Sequence, residues 1–505
     1  MPPAHEIHTP IRGPDGYDVR HRPGVEAAPG STTCSQDQNG LPLLCSGCVR
    51  NGLLCSLTID DSGIDNQKSF TTTKHPRVKR EEHKSIRARV RPATLSSALK
   101  SSILDRWKDD GLSGVLFEHY SCKTADQICG VTGPGNPFIT YILPLAHADS
   151  LVMHGVLALS GVHLIHRTEN GSFKSATWTH YGLAIRGLKE ALTKIDKKVL
   201  DEAEAAQMLA ATLLLCHVEA VSGNTNGAIC HHLRASRQFA QKVLESSSTR
   251  LCDDFRTFLL ELYAYLVLVG NITNNLGPLD REIPFDDFLF SLESLGNAES
   301  FGPMLGCAHG LFQLIPRVCQ LGFECQWKQR EGISSSSAAF EYTLLEAKIE
   351  KWQPPAERYD AAEVPSELLA AGQIYQYALL GFLHTIYYGP DVTNPELLSK
   401  VDVLIQRLFH VMSEDRWRNF DQPTRTPAIA TTLLWPYIIL GSCMRDPEHQ
   451  IRIRSLLSRS PFEMTIVQRV LQLLEWLWAD SSEYAYGPHG LEIMMRKHNM
   501  NICMA

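Results

Sequence analysis

The feature that most constrains the fold is the helical spacing of apolar residues, which begins near residue 103 and continues almost to the C-terminus. The alternation of apolar and polar residues that is typical of strands is scarce there, and Gly, Pro and Asn separate the apolar windows. Helices are predicted at 149–166, 179–194, 201–221, 229–245, 254–271, 302–321, 338–352, 366–387, 395–412, 427–442, 447–458 and 463–479. The sequence therefore predicts a mainly α protein with one large all-helical domain over residues 105–505.

Composition and apolar runs limit the class of protein. The chain has 505 residues, of which 44% are hydrophobic and 20% charged, which is typical of globular proteins with a sizeable core. Its N-terminus lacks the apolar segment of a signal peptide, which argues against secretion. The longest apolar runs, 151–165 and 260–270, are interrupted and fall short of the roughly 18 residues of a membrane span. No membrane partner is predicted, and the 14 cysteines are interpreted as reduced thiols or metal ligands.

Charge is distributed unevenly along the chain. The formal net charge is −7, yet residues 74–100 contain nine Lys and Arg against Glu81 and Glu82, a local balance of +7 that leaves −14 for the remainder. Within this region, residues 75–92 (HPRVKREEHKSIRARVRP) form what we call the basic strap. A short segment rich in Lys and Arg is typical of nuclear import signals and of electrostatic arms for nucleic acid, although many such runs are only solvated linkers.

The residues before the helical domain divide into three parts. Residues 1–33 are rich in Pro, Gly and charge without periodicity and are predicted to be disordered. Residues 34–57 contain a cluster of cysteines. Residues 58–104 form a linker that is rich in Ser and Thr at first and then basic, with no heptads that would predict a coiled coil.

The cysteine cluster consists of Cys34, Cys45, Cys48 and Cys55. A C-x-x-C pair places two thiolates on one turn, where both can reach a single Zn²⁺, and two further cysteines complete a tetrahedron. The alternative is a set of four unrelated thiols. Because four of the 14 cysteines fall within 22 residues that offer almost no core material, the cluster predicts metal binding, with zinc as the cofactor.

This cluster resembles the latter part of the binuclear zinc cluster of fungal transcription factors, in which each half has the pattern C-x-x-C-x6-C. Cys45, Cys48 and Cys55 match the fourth to sixth cysteines of that pattern, and Cys34 matches the third. The first C-x-x-C and the basic helix that follows it are missing, since EAAPGSTT stands in their place. Two complete sites cannot be built, so the resemblance implies one zinc held by the four cysteines. A wrong start to the sequence and a genuine loss of the first half both explain the departure.

The same resemblance implies contact with DNA. In this kind of module the basic residues of the first half reach base edges and phosphates, and here Arg50 alone lies among the cysteines. One phosphate contact gives little affinity, so weak binding to double-stranded DNA is predicted. Lys74, Arg77, Lys79 and Arg80 are the candidates for nuclear import or for further phosphate contacts.

A second resemblance covers most of residues 105–490. These residues resemble the fungus-specific transcription factor domain, an all-helical regulatory region that follows such zinc clusters. The resemblance is carried by 117–126, 136–164, 180–192, 211–223, 231–240, 305–318 and 433–444. It implies a nuclear regulator of RNA polymerase II genes, in which the helical domain controls the DNA-binding module by sensing a metabolite or a protein co-regulator. Control of a metabolic or secondary-metabolite gene set, and assembly as a homodimer, are further expectations.

Two other classes of protein are alternatives to this interpretation. The first is a sensor or interaction protein that does not bind DNA itself and acts through another regulator. The second is a helical enzyme, for which the sequence offers Asp253-Asp254 and Asp286-Asp287, each without the third acid of a magnesium-binding D-D-x-x-D motif. His154, His163, His166, Cys216-His217 and Cys230-His231-His232 are interpreted as helix-packing groups and not as metal ligands. The chain is therefore predicted not to be an enzyme.

Overall fold

The structure is a computed structural model that describes residues 111–168, 170–195, 200–245, 251–270, 284–292, 295, 301–331, 336–355, 364–389, 393–413 and 426–502. The α-helices are α1 (Gly111–His119), α2 (Ala125–Gln127), α3 (Leu143–Ala148), α4 (Ser150–Ile165), α5 (Gly171–Ile195), α6 (Glu202–Val221), α7 (Ala228–Glu245), α8 (Asp253–Gly270), α9 (His309–Phe312), α10 (Ile315–Glu331), α11 (Ser336–Glu350), α12 (Ser366–Tyr388), α13 (Pro395–Ser413), α14 (Leu434–Ser442), α15 (Pro447–Ser458), α16 (Thr465–Ala479) and α17 (Gly487–Lys497). Within these ranges no residue belongs to a β-strand, which confirms the predicted fold class.

Short helices of other kinds connect some of these elements. Two π-helical turns, Tyr120–Thr124 and Phe138–Ile142, lie between α1 and α2 and directly before α3. A 3₁₀ helix, Ala428–Leu433, leads directly into α14.

The helix starts follow local chemistry that can be seen in the sequence. Asp201 accepts a hydrogen bond from the backbone N–H of Glu204 (2.8 Å), and the Glu204 side chain accepts one from the N–H of Asp201 (3.3 Å), which makes a capping box at the start of α6. Asp149 caps α4 through the N–H of Val152 (2.9 Å). Such caps satisfy backbone donors that have no partner within the helix.

One connected core contains buried apolar side chains from Leu116 to Ile502. In its first half, α4 packs against α1, α5 and α6, and α6 packs against α7 and α8. In its second half, α12 packs against α10, α11, α13 and α14, and α14 packs against α16 and α17. Helix α16 also contacts α6, so the two halves share one core.

The crossing of α4 and α5 depends on a glycine. A Cβ atom added at Gly161 would collide with the Thr177 side chain, so only glycine allows this close approach.

Helix α6 is buried along most of its length. Among the described residues it is the one helix with the length and apolarity of a membrane span, and 89% of its apolar window is buried inside the protein. Burial in a helical core accounts for this apolarity because such a helix has protein neighbours on all sides.

The prediction of a single helix over 302–321 is wrong for the first half of that range. The chain instead forms turns, then the short helix α9, and the long helix α10 begins only at Ile315. Glu261 of α8, which is fully buried, accepts hydrogen bonds from the backbone N–H groups of Gly302 (2.8 Å), Met304 (2.8 Å) and Leu305 (2.9 Å). These bonds hold residues 302–305 as an anchored loop and take the place of helix hydrogen bonds.

Candidate functional site

The two halves of the helical core meet around an internal cavity, which we call the central cavity. The space that the centre of a water molecule can occupy is about 40 Å³, and the crevice as a whole, including the open solvent at its mouth, contains about 640 Å³ of empty space. It is lined by α6 and α8 on one side and by residues 430–467 on the other, with Ile128 and Met304 completing the wall. Nearly all lining residues are buried, and only Thr431 and Ser460 are partly exposed.

The segment LLWPYIILGS (433–442) forms one wall because its aromatic residues pack inward. Trp435 is fully buried and stacks on Tyr375 with ring centroids 6.0 Å apart and an angle of 14° between the rings. Two positions further along α14, Tyr437 is 2% exposed and lines the cavity. An apolar helix thus carries one phenol group into the interior.

The hydroxyl of Tyr437 has no hydrogen-bond partner among the described residues, although it is shielded from solvent. Burial raises the pKa of this phenol, so the group remains a neutral donor and acceptor. A buried hydroxyl without a partner costs about 1–3 kcal/mol. Such a group is therefore costly to keep unless a ligand or water meets it.

His217 of α6 lines the same cavity and is 3% exposed. Burial lowers the pKa of His217 to about 4, so the ring is neutral at physiological pH. Its Nδ1 lies 2.9 Å from the carbonyl oxygen of Leu213, which can only accept, so Nδ1 carries the hydrogen. The Nε2 atom of this tautomer is consequently a hydrogen-bond acceptor.

Both threonines of the lining are engaged, and Tyr265 is paired with Tyr375. The hydroxyl of Thr431 donates to the carbonyl of Gln127 (2.5 Å), and that of Thr432 donates to the carbonyl of Ile429 (2.8 Å). The Tyr375 hydroxyl, behind the cavity wall, donates to the carbonyl of Thr432. No Asp, Glu, Lys or Arg belongs to the lining, so the cavity suits a neutral occupant.

The histidines that were discussed in the sequence analysis in connection with metal binding are dispersed in the structure. His163 lies 3.3 Å from His119 and 3.0 Å from Thr124, and burial lowers its pKa to about 3. His154 lies 3.0 Å from His180, and His166 lies 3.3 Å from Thr465. The Tyr181 hydroxyl lies 3.2 Å from Nε2 of His232. Over the described part of the chain, no group of three His, Cys, Asp or Glu residues could hold a metal ion.

Members of both acidic pairs have structural roles in the fold. Asp286 accepts hydrogen bonds from Arg237 (2.7 Å), Gln241 (2.9 Å) and Tyr263 (2.9 Å), which ties residue 286 to α7 and α8. Asp253 and Asp254 begin α8, where acidic residues complement the helix dipole.

The residues predicted to bind zinc and DNA lie outside the described residues. This applies to Cys34, Cys45, Cys48, Cys55 and Arg50, and equally to Lys74, Arg77, Lys79 and Arg80 of the basic region. The boundary predicted between residues 104 and 105 lies there too.

Sequence reasoning missed the roles of Tyr437 and Glu261. A tyrosine inside the apolar run 433–442 and a glutamate inside the apolar run 258–269 were the available signals, because a polar residue on a buried face needs a partner. The sequence does not show that Glu261 meets the backbone of residues 302–305, or that the Tyr437 hydroxyl has no partner among the described residues.

The described residues form an all-helical domain around a cavity whose lining carries no charged side chain. The family model described as the fungal specific transcription factor domain matches residues 115–505. The chain belongs to this family, whose role is in transcription regulation. No curated protein and no solved structure matches the chain.

Proposed function

We propose that the protein is a nuclear regulator of RNA polymerase II transcription, in which the helical domain controls an N-terminal zinc-containing module. The observation that carries the proposal is order along the chain. The family match over 115–505 comes after a cluster of four cysteines and a strap that is rich in Lys and Arg. A metabolic or secondary-metabolite gene set is the proposed target, and a small molecule or a co-regulator protein is the proposed input.

The chemistry of the cysteines supports one zinc ion. Four thiolates match the preferred tetrahedral sulfur coordination of a structural zinc site. Six cysteines would be needed for the paired cluster that this segment resembles, and residues 1–33 contain no cysteine. We therefore assign a single Zn²⁺ to Cys34, Cys45, Cys48 and Cys55, where it would stabilise a segment that has little apolar core of its own.

Binding of the full chain to duplex DNA is expected to be weak, dependent on salt and nearly independent of sequence. Each phosphate neutralised by Lys or Arg contributes about −0.9 to the slope of log affinity against log salt. Replacing Lys74, Arg77, Lys79 and Arg80 together with Ala should therefore reduce that slope by roughly 3–4. Fluorescence anisotropy with two unrelated duplexes over a salt series measures both quantities.

Cysteine variants test the zinc site. Cys45→Ser combined with Cys48→Ser should remove the bound zinc, measured as metal content, whereas Cys122→Ser, an exposed cysteine in the helical domain, should keep it. Tight binding of the unaltered chain to one duplex at physiological salt would contradict this account of its DNA contacts.

Nuclear accumulation is expected to depend on the same four basic residues. A fluorescent fusion of the full chain should accumulate in the nucleus, and the variant with Ala at Lys74, Arg77, Lys79 and Arg80 should shift to the cytoplasm because a basic cluster is the recognition element for import. Replacing Arg12, Arg20 and Arg22 with Ala is the matched control, since these residues lie far from the basic region 74–100. An unchanged distribution of the strap variant would make the strap a solvated linker.

A second candidate function is favoured by the missing half of the cysteine pattern. EAAPGSTT, immediately before Cys34, contains neither cysteine nor a basic residue. This second candidate is a regulator that senses a ligand or a partner and acts through another DNA-binding protein. In the binding experiment it would show a salt slope near zero, with nuclear import retained.

A further inference from the structure

The central cavity combines features that point to a ligand. Its wall is predominantly apolar and carries no charged side chain. Of its buried polar side chains, Thr432 and Tyr265 have partners within the protein. The Tyr437 hydroxyl has no partner among the described residues, and the ring of His217 is neutral. A pocket that is mostly apolar with a few convergent polar groups is the usual form of a small-molecule site.

We propose that the central cavity binds a small, neutral, largely apolar molecule that carries a hydroxyl group. The Tyr437 hydroxyl would donate to the oxygen of that group, and the group's own hydrogen would be donated to Nε2 of His217. This proposal rests on the proposed function, since it supplies the site of a small-molecule input.

A neutral ligand follows from the chemistry of the wall. Taking a charged group out of water costs several kcal/mol unless an opposite charge meets it, and the lining offers none. A hydroxyl group fits better than a carbonyl because it alone satisfies both a donor and an acceptor. A purely apolar molecule would leave Tyr437 without a partner, so it would bind less tightly.

The size of the cavity restricts the ligand. A space of about 40 Å³ for the centres of water molecules holds only a few of them, so a ring-sized ligand must displace part of the wall. Met304 and Met464 both line the cavity, and methionine has a flexible side chain that adapts to irregular shapes. Thr431 and Ser460, which are partly exposed, mark the side from which a ligand would enter.

Occupation of the cavity would connect parts of the chain that are distant in sequence. His217 belongs to α6 in the first half of the domain, whereas Tyr437 belongs to α14 in the second half. A ligand held by both would stabilise their packing, since it would bind only the arrangement that brings the two groups together.

The test uses a pair of probes with the same shape. 4-Fluorophenol and 4-fluorotoluene differ in one hydroxyl group, and ¹⁹F NMR line broadening on the full chain reports the binding of each. We expect 4-fluorophenol to bind at least about tenfold more tightly than 4-fluorotoluene, because a hydrogen bond made in a buried site is worth about 1.4 kcal/mol or more.

Two tyrosine variants distinguish binding in the cavity from a general effect of removing a buried hydroxyl group. Tyr437→Phe should reduce the affinity for 4-fluorophenol about tenfold and leave that for 4-fluorotoluene unchanged. Tyr120→Phe is the matched control, because Tyr120 is also fully buried with an unpartnered hydroxyl but lies outside the cavity lining. Both variants should retain the thermal unfolding temperature or raise it, since each removes an unsatisfied hydroxyl.

A third variant, Ala430→Val, adds volume to the cavity wall and should weaken the binding of both probes. Equal affinities for the two probes, the absence of binding by 4-fluorophenol, or equal effects of the two tyrosine variants would each overturn the proposal. These outcomes are independent of nuclear import and DNA binding, so the ligand site can fail while the proposed function stands.

Discussion

Replacing Glu261 with Ala is expected to destabilise the helical domain by about 4 kcal/mol. The carboxylate is fully buried and accepts three backbone N–H groups of residues 302–305, and its removal leaves those donors without an acceptor. Each buried donor that loses its partner costs about 1–3 kcal/mol. Urea unfolding of the full chain, followed by tryptophan fluorescence and far-UV circular dichroism, measures the loss.

Two variants control for this measurement. Glu261→Gln keeps one acceptor oxygen but brings amide donors against backbone donors, so an intermediate loss of about 2 kcal/mol is expected. Glu341→Ala removes a carboxylate that is paired with Arg317 at a half-buried position, where about 0–1 kcal/mol is typical. A loss below about 1 kcal/mol for Glu261→Ala would show that the loop is not held by this carboxylate.

Acidification from pH 7.5 to 5.5 is expected to lower the free energy of unfolding by about 4 kcal/mol. Burial lowers the pKa of His163 to about 3, of His217 to about 4 and of His384 to about 4, against an ordinary value of 6.5. Below pH 6.5 the unfolded chain therefore binds protons that the folded chain does not. Each histidine costs about 1.4 kcal/mol at pH 5.5, and its full contribution to stability is present only above pH 6.5.

The partners of these histidines set the limits of the pH window. His384 lies 3.1 Å from the Tyr342 hydroxyl and near Lys400 and Glu346, whereas His163 faces His119, Thr124 and the carbonyl of Phe462. Carboxylates titrate mainly below pH 5.5, so the range 7.5–5.5 reports on histidines. Urea midpoints at several pH values, together with proton uptake on unfolding, provide the measurement. Stability that is constant or greater at pH 5.5 would contradict the assigned burial of these rings.

Helices with strong local signals were predicted closely. Helix α6 was expected at 201–221 and extends over Glu202–Val221, because the capping box at Asp201 and the Ser222-Gly223-Asn224 turn both lie in the sequence. Helices α12, α13 and α15 agree with their predictions to within one residue. In these elements local capping and periodicity specify the same limits as tertiary packing.

Helices with weak local signals were missed or misplaced. The helical segments over 111–127 and 138–148 and helix α17 contain glycine, proline or many polar residues, which hid their periodicity. Helix α5 begins at Gly171, eight positions before its predicted start. These segments are helical because they pack against the core, and packing supplies more helix stability than propensity does.

The candidate site was even less accessible from the sequence. From the sequence, His217 was interpreted as a helix-packing group, and no role was predicted for Tyr437. His217 on α6 and Tyr437 on α14 line the same cavity although they are 220 residues apart, and nothing in a single sequence shows that they share it.

The sequence by itself determined the helical class, the family resemblance and the separation of an acidic body from a basic strap, because periodicity, motif spacing and charge are local properties. Only the tertiary structure decided where the helix predicted at 302–321 breaks, which histidines are buried and where the cavity lies. Each of these depends on contacts between distant segments, such as Glu261 with residues 302–305. Burial and the pairing of polar groups arise when those segments pack together, so they belong to the folded chain and not to any one stretch of it.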